Sequence, residues 1–331
     1  MNIMLTGATG FIGSELVTKL CDQGNCLHVL CRSSSNAEHL IKPNIKLFRG
    51  DILDPQSVAK CMDGCEQIYH LAAYAKNYAK SPSTFFKYNE DAVRTILSLS
   101  LKHKVKKILV MSTSMTFGPS NDHPVNEKST RTMQPLTFYE ASKIRAEKTI
   151  SAFLGKGLEI ITVNPTRLFG PGLFTEGNSV TKMIQLYLSG KFRLILGNGN
   201  AIGNYAFISD VVDGCINAMN KGRDAEKYIL GGENLSYNKF FYVVRELSRK
   251  KYRMIHVPVK AGLLLGSIEE LLSKISNHYP QITPDWVRTF ALDWAFSSEK
   301  AISEIDYRIT PFNKALSETL SWIYLNNKNG R

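Results

Sequence analysis

At 331 residues, with 44% apolar and 21% charged residues, the chain has ample material for one large α/β domain carrying a smaller lobe, or for two domains. The formal net charge of +12 invites a nucleic-acid or membrane role. The basic residues are dispersed, however, and their densest runs, Lys102 to Lys107 and Arg245 to Arg253, carry no nucleic-acid-binding motif.

A solvated basic surface is therefore expected, with no nucleic acid as partner; attraction of anionic substrates or loose contact with an anionic membrane comes second. The longest apolar stretch, Ala261 to Leu272, is interrupted by Gly266, Ser267, Glu269 and Glu270, which argues against stable membrane insertion. The N-terminus shows no export signal, so a cytoplasmic protein is expected. Cys61 and Cys65 are four apart, but no second Cys or His pair completes a metal set. Buried free thiols are the expected state of Cys21, Cys26, Cys31, Cys61, Cys65 and Cys215, and no metal is expected.

Asn2 to Leu5 read as a short apolar strand, followed by Thr6-Gly7-Ala8-Thr9-Gly10-Phe11-Ile12-Gly13 and an amphipathic helix to about Cys21. Glycines at this spacing permit a tight turn, close approach to a pyrophosphate and close helix–strand packing. The helix N-terminus then offers unpaired amides to the phosphates. Gly7, Thr9, Gly10, Phe11, Ile12 and Gly13 are the candidate contacts. A structural turn without ligand is the competing reading.

A second strand, Cys26 to Cys31, should end at the adenosine ribose. NAD-selective enzymes usually place an acid there, whereas this chain offers Arg32-Ser33-Ser34-Ser35. A guanidinium with hydroxyls suits a 2′-phosphate and gives the ribose diol no acceptor. NADP is thus the preferred cofactor and NAD the alternative. A third strand, Lys46 to Arg49, ends in Gly50-Asp51-Ile52, and a fourth, Gln67 to Leu71, ends in Ala72-Ala73-Tyr74. Strands and helices alternating in this way predict a Rossmann-type doubly wound parallel sheet, with ligands outside its C-terminal edge. Asp51 is then placed to accept from the adenine amino group. Ile52, Leu71, Ala72 and Ala73 would lie along the cofactor.

Tyr-x-x-x-Lys occurs three times, as Tyr139/Lys143, Tyr187/Lys191 and Tyr324/Lys328, so spacing alone decides nothing. Tyr187/Lys191 straddles Ser189-Gly190, a helix end, and Tyr324/Lys328 is read as part of a polar terminal tail. Tyr139 and Lys143 instead begin a good helix, one turn apart on one face. They follow a fifth apolar strand, Lys107 to Met111, that ends in Ser112-Thr113-Ser114. Hydride transfer to a ketone leaves an alkoxide that needs a proton, and a free phenol with a pKa of about 10 is a poor donor or acceptor at neutral pH. A neighbouring ammonium and an oxidised nicotinamide are expected to lower that value. A hydroxyl opposite would polarise the carbonyl.

Together these residues resemble the extended short-chain dehydrogenase/reductase superfamily, the NAD-dependent epimerase/dehydratase family, over nearly the whole chain. The fingerprint stands as Thr6 to Gly13 and the hydroxyl strand as Met111 to Gly118. The resemblance puts the catalytic hydroxyl on Thr113 with Ser112 beside it, and implies that Asn89 holds a proton-relay water. It assigns the nicotinamide loop to Asn164-Pro165-Thr166-Arg167, with Pro165 and Thr166 at the cofactor. Cys31-Arg32-Ser33, His70 to Tyr74, Tyr228 to Leu235 and Phe296 to Ala301 are similar to the branch of dihydroflavonol reductases, 3β-hydroxysteroid dehydrogenases and hopanoid-associated epimerase/reductases. Nucleotide-sugar members typically carry an arginine a few residues before the Asp-Val of a late helix. By alignment on Asp210-Val211, this chain has Gly203 there.

The resemblance further implies a smaller mixed α/β C-terminal substrate lobe. It assigns residues 1–165, about 201–225 and 296–308 to the cofactor domain, about 166–200 and 226–295 to the lobe, and 309–331 to a terminal helix and tail. Tyr74, Tyr78, Phe85, Phe117, Leu168, Phe169, Leu173, Phe174 and Tyr205 are candidates for an apolar pocket, with core packing as the ordinary fate of each. Arg167, Arg193 or Arg288 are candidates to replace the missing sugar-nucleotide arginine. Lys76 is a candidate contact or a solvated lysine.

The leading expectation is an NADP-dependent reductase of a ketone or aldehyde on a moderately apolar small molecule. A nucleotide-sugar epimerase or dehydratase with tightly bound NAD is the second, and a non-catalytic NADP-sensing protein the third. The resemblance implies a homodimer as the assembly.

Overall fold

Apolar runs of β-branched and aliphatic residues alternate with amphipathic segments throughout the N-terminal half, and each becomes a strand or helix in the computed structural model. The structure describes residues 1–276, 279–280 and 282–329. In chain order the first half comprises β1 (Asn2–Thr6), α1 (Phe11–Asp22), β2 (Cys26–Cys31), β3 (Ile45–Arg49), α2 (Pro55–Met62), β4 (Gln67–His70), α3 (Ser83–Phe86), α4 (Ala92–Lys102), β5 (Lys107–Met111) and α5 (Phe138–Ser151). The remainder comprises β6 (Glu159–Pro165), β7 (Arg167–Phe169), α6 (Ser179–Leu188), β8 (Leu194–Leu196), β9 (Ile202–Phe207), α7 (Ile208–Lys221), β10 (Lys227–Leu230), β11 (Glu233–Ser236), α8 (Tyr237–Ser248), β12 (Ile255–Val257), α9 (Val259–Ser276), α10 (Pro284–Phe290), α11 (Glu299–Ile305) and α12 (Phe312–Asn329).

Seven strands form one parallel sheet in the order β10-β6-β5-β4-β1-β2-β3. Strand β1 sits between β2 and β4, so strand order reverses beside it, and the crevice at such a reversal is where ligands bind in open α/β sheets. Strand β5 shows how both faces are covered. Leu109 and Met111 join a core with α1 and α7, while Ile108 and Val110 join another with α2, α4 and α5. Successive side chains of a strand point to opposite faces, so near-continuous apolar runs are what a doubly covered parallel strand requires.

Beyond β6 the structure departs from the sequence-based division. Strand β10, assigned by sequence to the lobe, pairs in parallel with β6 as the edge of the main sheet. Tyr228, Ile229 and Leu230 are fully buried there, which is the environment that such an apolar run demands. Strand β9, expected in the main sheet, instead forms a separate three-stranded sheet, β11-β9-β7. Only α7 from that stretch covers the main sheet, through Val211, Val212 and Cys215. Strands β8 and β12 pair separately.

Tyr324, expected in a polar tail, lies on α12, whose buried Leu316, Leu320 and Ile323 anchor that helix to the core. Among the described residues no helix is long and apolar enough to cross a membrane. Cys31, Cys61, Cys65 and Cys215 are buried, but Cys21 is half-buried and Cys26 exposed, because Cys26 stands at the open start of β2.

Candidate active site

The first turn is shaped by two glycines. Gly7 has φ +80°, and a Cβ there would lie 2.7 Å from the Ala72 nitrogen at the end of β4. At Gly13 a Cβ would lie 2.1 Å from the Gly7 carbonyl oxygen. Both clashes involve backbone, so neither position accepts a larger residue without opening the turn. Helix α1 begins at this turn with Gly10 as a cap that offers no side chain, leaving its first amides unpaired by any cap. An anion-ready N-terminus beside a clear, glycine-walled crevice fits a dinucleotide pyrophosphate.

Thr137 starts α5: its hydroxyl accepts from the Glu140 amide at 3.1 Å, as in a Thr-x-x-Glu capping box. Glu140 is fully buried, accepts from the Leu136 amide at 2.7 Å and pairs with Arg131 at 2.7 Å. This cap fixes Tyr139 in the first helical turn and Lys143 one turn further along. The Lys143 Nζ donates to the Met111 carbonyl oxygen at 2.9 Å, which brings the helix against the end of β5. Thr113 lies two residues beyond β5, and its hydroxyl hydrogen-bonds with Tyr139.

Burial pushes the Tyr139 phenol up to about 12, with the Thr113 hydrogen bond pulling weakly the other way. The expected lowering by Lys143 is therefore not found in the chain alone, because desolvation outweighs every other influence on this phenol. Lys143 is pushed down to about 8 by burial, opposed by the Glu147 carboxylate.

Behind Thr113 lies a polar group with no motif to announce it. Ser112 donates to Glu147 Oε1 at 2.5 Å, and Asn164 Nδ2 donates to the same oxygen at 2.8 Å and to the Thr113 carbonyl at 3.0 Å. Lys227 from β10 reaches Glu147 Oε2 at 2.5 Å. The four residues come from the position just after β5 and from α5, β6 and β10, so only the folded sheet assembles them.

A cavity of about 940 Å³ runs along the C-terminal edge of the sheet, from Arg32 and Ser35 past the glycine turn to Tyr237, Trp286 and Phe290. Of the sequence-based candidates, Gly7, Thr9, Gly10, Phe11, Ile12, Gly13, Arg32, Ile52, Leu71, Ala72, Ala73, Ser112, Thr113, Tyr139, Lys143, Pro165 and Thr166 all line it. Tyr74, Lys76, Arg167, Leu168 and Tyr205 line it as well. Among the described residues the lining holds arginines and lysines but neither Asp nor Glu.

Other candidates lie elsewhere. Asp51 is not in the lining, although Gly50 and Ile52 are; its Oδ1 accepts from the Leu53 amide at 2.9 Å. Phe117 is buried among Val125, Ile229, Trp294 and Phe296 behind the cavity. Phe85 and Phe169 are core residues, the ordinary fate of apolar side chains, whereas Leu173 and Phe174 are exposed and meet neither expectation. Tyr78 packs edge-on against Tyr279.

Asn89 is buried outside the lining. Its amide bridges the Tyr74 backbone, at 2.7 and 3.2 Å, to Ser142 Oγ at 2.9 Å. Tyr237, Trp286, Thr289 and Phe290 were missed by sequence reasoning, for they sit on α8 and α10 in no recognisable pattern. Among the described residues there is no cluster of three or more metal-ligating side chains.

The doubly wound sheet, the glycine turn at its switch point and the tyrosine–lysine pair beyond β5 define an extended short-chain dehydrogenase/reductase, an enzyme class working on hydroxyl or carbonyl groups with a nicotinamide dinucleotide. The chain belongs to the NAD dependent epimerase/dehydratase family, whose model matches residues 3–231.

It is 23% identical over 329 residues to sterol demethylase protein B of Methylococcus capsulatus, covering 97% of this chain and 98% of the relative. It is 23% identical over 338 residues to N-acetyl-alpha-D-glucosaminyl-diphospho-ditrans,octacis-undecaprenol 4-epimerase of Escherichia coli O157:H7, covering 99% and 96%. The crystal structure of gox2253 superposes with a TM-score of 0.83 at 27% identity, covering 98% of both chains. Relatives with reductase, sterol-dehydrogenase and sugar-decarboxylase names match too, so the family is fixed while the substrate is not.

Proposed function

We propose that this protein reduces a ketone or aldehyde of a moderately apolar substrate (flavonoid-, sterol- or lipid-like), with NADP as its preferred cofactor, and runs reversibly as an alcohol dehydrogenase. The observation that carries the reading is the grouping of Thr113, Tyr139 and Lys143 on one wall of a cavity that begins at the glycine turn.

When bound, the nicotinamide supplies the hydride. Thr113 donates to the carbonyl oxygen and polarises it, as an oxyanion site does. Tyr139 gives its proton to the developing alkoxide; with burial holding its pKa at about 12, the phenol is fully protonated at neutral pH. Lys143, at about 8, is still mostly an ammonium at pH 7, and serves to orient the ribose and bring positive charge to the phenol. Asn89 acts as a positioning residue, tying the Tyr74 backbone to Ser142 on the same helix as the pair.

The preference for NADP is supported by Arg32 and Ser35 in a cavity wall that, among the described residues, holds no carboxylate. Arg49 holds that loop by donating to the Arg32 and Ser35 carbonyls at 3.1 and 3.2 Å. Tyr139→Phe should abolish turnover in a screen of carbonyl compounds with NADPH and NADH, while cofactor binding persists. Full activity in that variant would sink the mechanism.

One observation favours the sugar-nucleotide alternative. A Cβ at Gly203 would lie 2.7 Å from Arg167 Nη1, so a cation stands beside the place where the resemblance expects one. Denaturing the purified protein and finding stoichiometric released NAD would support that second reading.

A further inference from the structure

We infer that the substrate carries a carboxylate, held by Arg167 together with Tyr205 and Tyr237; this rests on the carbonyl-reduction reading and adds the substrate's second functional group. Arg167 on β7 and Tyr205 on β9 are register partners in the small sheet. Tyr237 opens α8 and accepts from Arg167 Nη1 at 2.5 Å. The guanidinium lies over the rings of Phe290, at 4.8 Å, and Tyr237, at 5.5 Å.

A guanidinium carries five N–H donors, and a charge set among aromatic rings needs an anion to offset its desolvation. Among the described residues no carboxylate pairs with Arg167. Tyr205 lines the same cavity, is 2% exposed, and its hydroxyl lies beside the Arg167 guanidinium, a donor, with no acceptor for its own proton among the described residues. A Cβ on Gly203 would lie 2.7 Å from Arg167 Nη1 and 2.9 Å from Tyr205 Oη, so both groups pack side by side against that glycine, and both line the cavity. An anion received on the cavity side of these two groups takes charge-assisted bonds from Arg167 and a further one from the Tyr205 hydroxyl, satisfying both. A planar carboxylate matches the guanidinium fork. A diphosphate brings more than one charge to a single arginine walled by aromatic rings, and fits less well.

Binding is measured by isothermal titration into protein saturated with NADP⁺, where no reduction can occur. The probes are 4-acetylbenzoate, 2-naphthoate and a 3-oxo cholanate, each beside its neutral amide, with UDP as the diphosphate probe. At least one carboxylate should bind more tightly than its amide, by about ten- to a hundredfold, the factor expected of a charge-assisted bidentate pair. Arg167→Gln should bring that ratio to about one, and Arg167→Lys should restore part of it. Tyr205→Phe, which keeps the ring and the packing, should lower the ratio by several-fold.

Equal binding of every acid and its amide, no carboxylate binding at millimolar concentration, or a ratio unchanged in Arg167→Gln would overturn the proposal. So would Arg167-dependent binding of UDP alone, which would assign the arginine to a diphosphate. Repeating the titration in Tyr139→Phe separates the two ideas: the acid preference should persist there, whatever that variant does to turnover.

Discussion

Lys143 and Met111 are joined by a hydrogen bond of 2.9 Å from the ammonium to the carbonyl oxygen, linking α5 to the end of β5. Lys143 is only 3% exposed. A lysine placed so deeply is retained at a cost in stability, and the cost has a definite pH signature.

The folded-state pKa of Lys143 is depressed to about 8 from 10.5, chiefly by burial. Between those values the unfolded chain binds a proton that the native protein does not, so stability rises with pH across this window. Below pH 8 the native state carries the full penalty, about 3 kcal/mol at 1.36 kcal/mol per pKa unit. Lys143→Met should abolish turnover yet raise unfolding free energy at pH 7 by about 2 kcal/mol, after allowing for the lost hydrogen bond. Urea titrations at pH 7 and pH 10 test this: the advantage should shrink at the higher pH. A variant less stable than the parent at pH 7 would contradict it.

His70 gives the opposite end of the pH range. Its Nδ1 lies 2.8 Å from Thr6 Oγ1, and burial, helped by the Lys143 charge, pushes its pKa down to about 3. From about pH 6.5 down to about 3 the unfolded chain takes up a proton that the native state refuses, and stability falls with pH by up to about 1.4 kcal/mol per unit. His70→Gln should remove close to one proton from that slope in acid titrations of unfolding. An unchanged slope would show that His70 charges without unfolding.

Glu147 is the hub behind Thr113, accepting from Ser112 and Asn164 and pairing with Lys227. Glu147→Ala leaves buried donors without an acceptor and should cost about 3 kcal/mol of stability. Glu147→Gln, which keeps an acceptor oxygen, should cost less than half as much. Equal losses in the two variants would mean that the carboxylate charge, rather than its hydrogen bonds, holds the network.

Arg32 offers a direct test of cofactor choice. Arg32→Asp should lower the ratio of kcat/KM for NADPH over NADH by about a hundredfold, by removing a phosphate partner and adding a diol acceptor. A ratio that does not move would remove Arg32 from phosphate recognition.

Sequence alone went far where a local pattern carries the physics. The Thr6 to Gly13 turn was legible because backbone clashes at Gly7 and Gly13 forbid other residues. Tyr139 stood apart from its decoys in sequence because it begins a good helix just beyond a hydroxyl-bearing strand end; the structure adds that Thr137 caps that helix by accepting from the Glu140 amide. Tyr187 at the end of α6 is fully buried, with its hydroxyl donating to the Lys250 carbonyl at 2.9 Å, as a structural tyrosine would be. Strand β10 was misplaced because a short buried apolar run carries no mark of which sheet will receive it.

The sequence by itself determined the repeating strand–helix pattern and the glycine turn, and singled out one tyrosine–lysine pair by its place at a helix start, since each depends on neighbours within a few residues. Only the tertiary structure decided what surrounds them: Glu147 joined to Lys227 across 80 residues, Arg167 joined to Tyr237 across 70, and a cavity wall free of carboxylates among the described residues. Lys143 shows the division most plainly. Its spacing from Tyr139 is written in the chain, but its depressed pKa comes from burial, which distant segments impose when the sheet closes over it.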